Sequence, residues 1–131
     1  MSTPGKILIV DDEMHVRKFV GLIVREMGTP TVVEASDGKE ALAMYTAEAP
    51  DLVLLDVNMP VLDGVHTLAA LLKQDPKAVV IMLTSLANRQ TVEKCLGAGA
   101  AGYIRKDTPR EKIQSELTAL LQSRGEIDSH A

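Results

Sequence analysis

Five short apolar runs recur along the chain, and amphipathic segments separate them. The runs are KILIV (6–10), TVVEA (31–35), LVLL (52–55), AVVIML (78–83) and GYIR (102–105). Residues 7–10, 52–55 and 79–83 are continuously apolar and rich in branched side chains. A strand wetted on one face alternates apolar with polar residues. One without polar alternates needs cover on both faces, as in a parallel sheet. TVVEA is more mixed and suits an edge.

The intervening segments carry helical spacing. Val16, Phe19, Val20, Ile23 and Met27 recur at three- and four-residue steps, predicting a helix over 14–27 with Gly28 as its C-terminal cap. Asp37 and Glu40 have capping-box spacing at the second helix. The third starts near Gly64 and carries Val65, Leu68, Leu71 and Leu72; the fourth starts near Asn88. The last combines a Thr108 cap, Pro109 at the first helical position and Glu111 three after the cap. Ile113, Leu117, Leu120 and Leu121 form its apolar stripe. Five strand–helix units in series predict a doubly wound α/β domain over 6–123, between tails 1–5 and 124–131. Right-handed crossovers place helices on both faces of a five-stranded parallel sheet. Such sheets take a dinucleotide-binding order or the flavodoxin-like order 2-1-3-4-5, and ligands bind beyond the carboxyl ends of the strands.

Composition narrows the function classes. A chain of 131 residues can bury one real core, and 46% hydrophobic residues exclude disorder. A formal charge of −4 argues against a general nucleic-acid binder. The single cysteine, Cys95, has no internal disulfide partner and is expected to be packed. No apolar run approaches the roughly 20 residues of a membrane span, and the N-terminus does not read as a signal peptide, so a cytoplasmic location without membrane attachment is expected. His15, His66 and His130 do not form a metal-ligand spacing. The glycines of GAGAAG precede a strand, which is the wrong side for a phosphate cradle.

Polar residues collect at the strand ends. Asp11 and Asp12 end strand 1, Asp56 ends strand 3, Thr84 ends strand 4 and Lys106 ends strand 5. In the 2-1-3-4-5 order all five project into one crevice. Each has a bland use alone: a helix cap for Asp11 or Thr84, a turn before Pro60 for Asp56, a solvated amine for Lys106. Their joint placement argues for one site. Two carboxylates about 4 Å apart repel by roughly 4 kcal/mol at an effective dielectric near 20, so a cation is expected among these acids. An oxygen-only ligand set points to a hard ion such as Mg2+. A carboxylate, a hydroxyl and an ammonium beside such an ion suit phosphoryl transfer.

ILIVDDE, LVLLDVNMPVLDG, IMLTS and GYIRK, in that order, resemble a response-regulator receiver domain from about Lys6 to Ser123. The resemblance implies that Asp56 accepts a phosphoryl group from a histidine kinase or phosphotransfer protein. It implies Mg2+ ligation by Asp12 and Asp56, the backbone carbonyl of Asn58, and Asp11 through water. Thr84 and Lys106 would hold phosphoryl oxygens, and Ser85 would leave room for them. Tyr103 would be a switch aromatic that follows Thr84. The first helix, around His15, Val16 and Phe19, looks like a kinase-docking face, and the surface of helix 4, strand 5 and helix 5 would control an output partner. The protein would be a signalling domain rather than an enzyme, as a monomer or a phosphorylation-dependent dimer. The chain stops before any output domain, implying a stand-alone receiver or a shortened chain.

Two departures stand out. The family usually has proline after the lysine, often in a cis bond; Asp107 follows here, and a trans Lys106–Asp107 peptide is favoured because a cis one costs about 3–4 kcal/mol. Leu86, two residues past Thr84, cannot orient a hydrolytic water, implying moderate or slow self-dephosphorylation. Other classes remain open at this point. An aspartyl phosphohydrolase generally needs a second acid at position 58, where Asn58 stands. A nucleotide or flavin binder wants a glycine-rich turn after strand 1, where Asp11-Asp12-Glu13 stands.

Overall fold

The computed structural model describes residues 5–29, 31–59, 62–85 and 88–123. Strands and helices alternate: β1 (Lys6–Val10), α1 (Met14–Glu26), β2 (Thr31–Ala35), α2 (Gly38–Glu48), β3 (Leu52–Leu55), α3 (Gly64–Gln74), β4 (Val80–Thr84), α4 (Arg89–Gly97), β5 (Gly102–Arg105) and α5 (Arg110–Ser123). The five strands form one sheet in the order β2-β1-β3-β4-β5, and every neighbouring pair is parallel.

The continuous apolar runs are explained by cover on both faces. Ile7, Ile9, Leu52, Leu54, Ile81, Leu83 and Ile104 face one side, against Val20, Ile23 and Val24 of α1 and Ile113, Leu117 and Leu121 of α5. The alternate residues Leu8, Val10, Val53, Leu55, Val80 and Met82 meet Ala41 of α2, Leu68 and Leu71 of α3 and Cys95 of α4. Cys95 is buried and packed. The mixed run at β2 is an edge strand, exposed at Thr31 and half-buried over Val32 to Glu34. No helix among the described residues is long and apolar enough to cross a membrane.

Several local expectations shift. Phe19 is 43% exposed rather than core. The buried stripe of α1 runs through Val20, Ile23 and Val24, with Val16 and Met27 beside it, and position 19 falls on its border. β4 begins at Val80, because Ala78 is still in a turn, donating its N–H to the Asp75 carbonyl. α5 begins at Arg110, one residue later than the Thr108–Pro109 pattern implies. The Pro109 carbonyl accepts the first helical N–H groups, from Lys112 and Ile113, which puts Pro109 itself at the cap. Asp37 caps α2 as its spacing indicates, but Glu40 closes the box on the N–H of Ser36 rather than of Asp37. Gly28 follows α1 with φ +106°, the left-handed conformation that glycine enters without strain.

The start of α3 matters because it abuts the end of β3. Asp63 caps it, its Oδ1 accepting from the His66 N–H at 2.9 Å and meeting the His66 ring at 2.9 Å. Burial opposes the charge of Asp63, but the His66 contacts outweigh it and hold the carboxyl below its usual range. A lowered folded-state pKa gives stability that is present above the unfolded value and lost as pH falls through the folded one. Asp63→Ala is therefore expected to cost about 1 kcal/mol in urea melts at neutral pH. The gap from wild type should narrow in the same melts at about pH 3.

Candidate functional site

The sheet register builds the site. Val10 pairs with Leu55, and the Asp56 N–H continues the ladder to the Val10 carbonyl at 3.0 Å. Asp11 and Asp56 therefore leave adjacent strands side by side, and each is only 3% exposed. Asp12 follows on the exposed rim, and carboxylate oxygens of Asp11, Asp12 and Asp56 lie within 4.8 Å of one another. Lys106 sits in the turn after β5, its N–H donating to the Thr84 carbonyl at 3.0 Å. Its Nζ is 3.1 Å from Asp56 Oδ2 and also pairs with Asp11 Oδ2. The Lys106–Asp107 peptide is trans, there being no cis bond among the described residues.

The acids are thus partly neutralised from within. The charge-repulsion reasoning called for an added cation, whereas Lys106 already bridges two of the three carboxylates. Burial pushes the Asp11 carboxyl up, and its contacts with Lys106 and the Glu13 N–H only partly counter this. Burial works against the Lys106 charge too, but the hydrogen bond to Asp11 and the charge of Asp56 outweigh it and raise its pKa. One ammonium against three carboxylates leaves the nest short of positive charge. Asp12 offers an open approach, and an all-oxygen donor set fits a hard divalent ion such as Mg2+.

The other residues singled out from sequence fall around this centre. Thr84 is fully buried at the last position of β4, the neighbour of β3. Asn58 is exposed, with its N–H 3.4 Å from Asp56 Oδ1, and Ser85 is exposed. Tyr103 is half-buried on β5, packed against the cluster that contains Cys95, and burial pushes its phenol up. Pro60 and Leu86 lie outside the described residues. The bland uses are largely taken by others: Asn88 caps α4, and Glu13 occupies the N-cap position of α1. Asp11 does accept the Glu13 N–H at 2.9 Å, an Asx-type turn made while its other oxygen meets Lys106.

Two residues escaped the sequence reading. A Cβ on Gly64 would lie 2.1 Å from the Asp56 carbonyl oxygen, and the Gly64 N–H donates to the Val57 carbonyl at 2.7 Å. From the sequence, Gly64 marks only the start of the third helix, yet a glycine inside the first helical turn is itself a signal of close backbone approach. Arg17 was also missed. Its guanidinium donates to the Asp11 carbonyl at 2.7 Å and to Glu34 at 2.8 Å. The signal was Glu34, a carboxylate inside an otherwise apolar strand run.

Known proteins resemble this chain over most of its length. The family model of the response regulator receiver domain matches residues 7–118. The chemotaxis protein CheY of Treponema pallidum is 35% identical over 123 residues, which is 92% of this chain and 85% of that protein. A putative transcriptional regulator of Pseudomonas aeruginosa is 40% identical over 117 residues, 88% of this chain and 54% of that one. A chain in the crystal structure of the CheX–CheY–BeF3–Mg2+ complex from Borrelia burgdorferi superposes with a TM-score of 0.86 at 33% identity, covering 91% of this chain and 90% of that chain.

The close approach at Gly64 yields a test of how tightly the site is packed. Gly64→Ala must move α3 away from the Asp56 backbone and is expected to cost about 1–3 kcal/mol in urea unfolding. It should also shift the amide resonances of Asp56 and Val57. A variant with wild-type stability and unmoved resonances would contradict the close packing.

Proposed function

The chain belongs to the response regulator receiver domain family, and on that premise we propose that Asp56 is the phosphoacceptor of a two-component signalling switch. The observation that carries this reading is the Lys106 ammonium 3.1 Å from Asp56 Oδ2, inside a nest of three carboxylates. A carboxylate oxygen of Asp56 attacks the phosphorus of a phosphohistidine on a histidine kinase or phosphotransfer protein. The new P–O bond forms as the P–N bond breaks, and the imidazole leaves. The product is an acyl phosphate on Asp56, which water later hydrolyses.

Asp12 and Asp56, with the Asn58 backbone carbonyl, would hold Mg2+ directly, and Asp11 through a bound water. When bound, the ion offsets the negative charge that gathers on the transferred group. Lys106 exchanges a carboxylate partner for a phosphoryl oxygen, and the Thr84 hydroxyl donates to another. Positioning and charge stabilisation are most of what this transfer requires. Ser85, small and exposed, leaves space for the group.

The phosphoryl group adds roughly −1.5 to −2 charges and new acceptor oxygens. Lys106 and Thr84 then have partners that exist only in the phosphorylated state. Drawing them toward the group shifts Tyr103 inward and biases the surface of α4, β5 and α5 toward a second arrangement. That surface would carry the signal to an output protein or a joined output domain. The chain is a phosphoacceptor that assists its own phosphorylation and dephosphorylation rather than an enzyme acting on a separate substrate.

Incubation with Mg2+ and acetyl phosphate should add the mass of one phosphoryl group, read by intact mass spectrometry, and Asp56→Asn should abolish it. Turnover of generic phosphate esters without a protein-bound phosphoryl group would favour a phosphohydrolase instead. Mg2+ at 100 times its dissociation constant should stabilise the fold by about 2.7 kcal/mol. Lys106→Met should bind Mg2+ at least about tenfold more tightly, because a positive charge is removed from the nest that would hold the ion. The same variant should phosphorylate more slowly. Calorimetric titration showing unchanged or weaker Mg2+ binding would contradict the placement of the ion beside Lys106.

A further inference from the structure

Arg17 makes contacts that helix packing does not require. It lies on α1, and its guanidinium crosses to two other parts of the sheet. One arm donates to the backbone carbonyl of Asp11 at 2.7 Å; the Nε donates to Glu34 Oε1 at 2.8 Å. Glu34 is on β2, opposite Ile9 of β1, and its second oxygen is taken by Lys18 at 2.7 Å. The Arg17 side chain is only 13% exposed.

We propose that Arg17, anchored by Glu34, is a positioning residue that sets how Asp11 and Asp12 are presented to the divalent ion. This rests on the metal-dependent reading above. The Asp11 carbonyl belongs to the planar peptide that joins Asp11 to Asp12. Holding that oxygen fixes the rotation of the plane, and so the direction in which the Asp12 side chain leaves the chain. The other handles on Asp11 are already in use: its N–H donates to the Ala35 carbonyl at 3.1 Å, Oδ1 accepts from Glu13 at 2.9 Å, and Oδ2 pairs with Lys106. Arg17 supplies the remaining one. A planar fork can satisfy the carbonyl and Glu34 together; a single ammonium has no such fixed geometry.

A purely structural role fits less well. The core face of α1 is already formed by Val20, Ile23 and Val24. A half-buried cation near the nest also opposes a divalent ion by charge, so its benefit to that ion must come from geometry. Residues that orient metal ligands typically cost 10–100-fold in affinity when changed.

The test uses Arg17→Ala, Arg17→Lys and Glu34→Gln, with three readouts: Mg2+ affinity by calorimetry, exchange of the Glu13 amide hydrogen, which Asp11 Oδ1 holds, in the metal-free protein, and urea stability. Arg17→Ala and Arg17→Lys are both expected to weaken Mg2+ binding by about tenfold and to speed exchange at Glu13. Glu34→Gln should lose less on both readouts. The lysine variant keeps the charge, so wild-type behaviour there would assign the effect to charge and overturn the proposal. Lower urea stability with unchanged Mg2+ affinity and unchanged exchange would reduce Arg17 to a structural residue. Tighter Mg2+ binding would show that repulsion outweighs geometry, again overturning it. Should Arg17→Ala fail to fold, Arg17→Lys and Glu34→Gln decide. Absence of Mg2+ uptake by the wild type would sink the receiver reading and the clamp together; equal uptake by wild type and Arg17→Lys would sink the clamp alone.

Discussion

The structure turns on an electrostatic conflict between Asp11 and Asp56. Two carboxylates are carried out of water on neighbouring strands, each 3% exposed, and a third stands at the rim. Repulsion of about 4 kcal/mol at close range is comparable with the whole stability margin of many domains. Lys106 answers it by meeting both buried acids. That answer depends on topology. β5 is separated from β3 by β4, and the Lys106 N–H is pinned to the Thr84 carbonyl at 3.0 Å so that the long side chain reaches back across the sheet end. The last strand, hydrogen-bonded only to β4, is therefore tied to the ends of the first and third by charge.

A parallel sheet is suited to this arrangement because all its strands end on the same side. Placing β1 beside β3, with crossovers running in opposite directions from that point, opens a crevice where the acids emerge. The helices keep it rigid. α1 and α5 cover one face and α2, α3 and α4 the other, so the loops bearing Asp12 and Asn58 start from well-anchored strand ends. Gly64 sharpens this by letting the first turn of α3 rest on the Asp56 backbone, where any side chain would collide.

The legible part of this molecule was whatever a periodicity or a strand end announces. Continuous branched runs identified the buried strands, the mixed TVVEA run marked the edge, and Asn88 and Asp37 capped their helices as their spacing implied. The acids and Lys106 were visible because they interrupt apolar runs at equivalent places. What stayed hidden depended on distance across the fold. Phe19 belongs to an apolar period, yet whether a border position is covered depends on where the neighbouring helix lies, and it is largely uncovered. Arg17 and Glu34 are 17 residues apart and each reads alone as a solvated charge. Only the pairing of β2 with β1 brings them together. Lys106 was assigned to a phosphoryl group; its role as the internal counter-ion to two acids could not be read before both were known to be buried beside it.

The two cations near the site act on different atoms, and the difference is consistent with a metal-dependent switch. Lys106 contacts carboxylate oxygens of Asp11 and Asp56, and Asp56 is one of the direct Mg2+ ligands of the proposed reaction. It partly neutralises the metal-free nest, and in the proposed reaction it would compete with the ion and pass to the phosphoryl group. Arg17 contacts a backbone carbonyl and spends its charge on Glu34, so it orders the acidic turn without occupying a ligand oxygen. Had Arg17 paired with Asp12 directly, two cations would face three acids, the nest would lie closer to neutral, and a divalent ion would have less to gain there. Leaving one acid exposed and the nest under-neutralised works against resting stability, and it preserves the attraction on which the proposed ion binding, and then the proposed phosphoryl transfer, would depend.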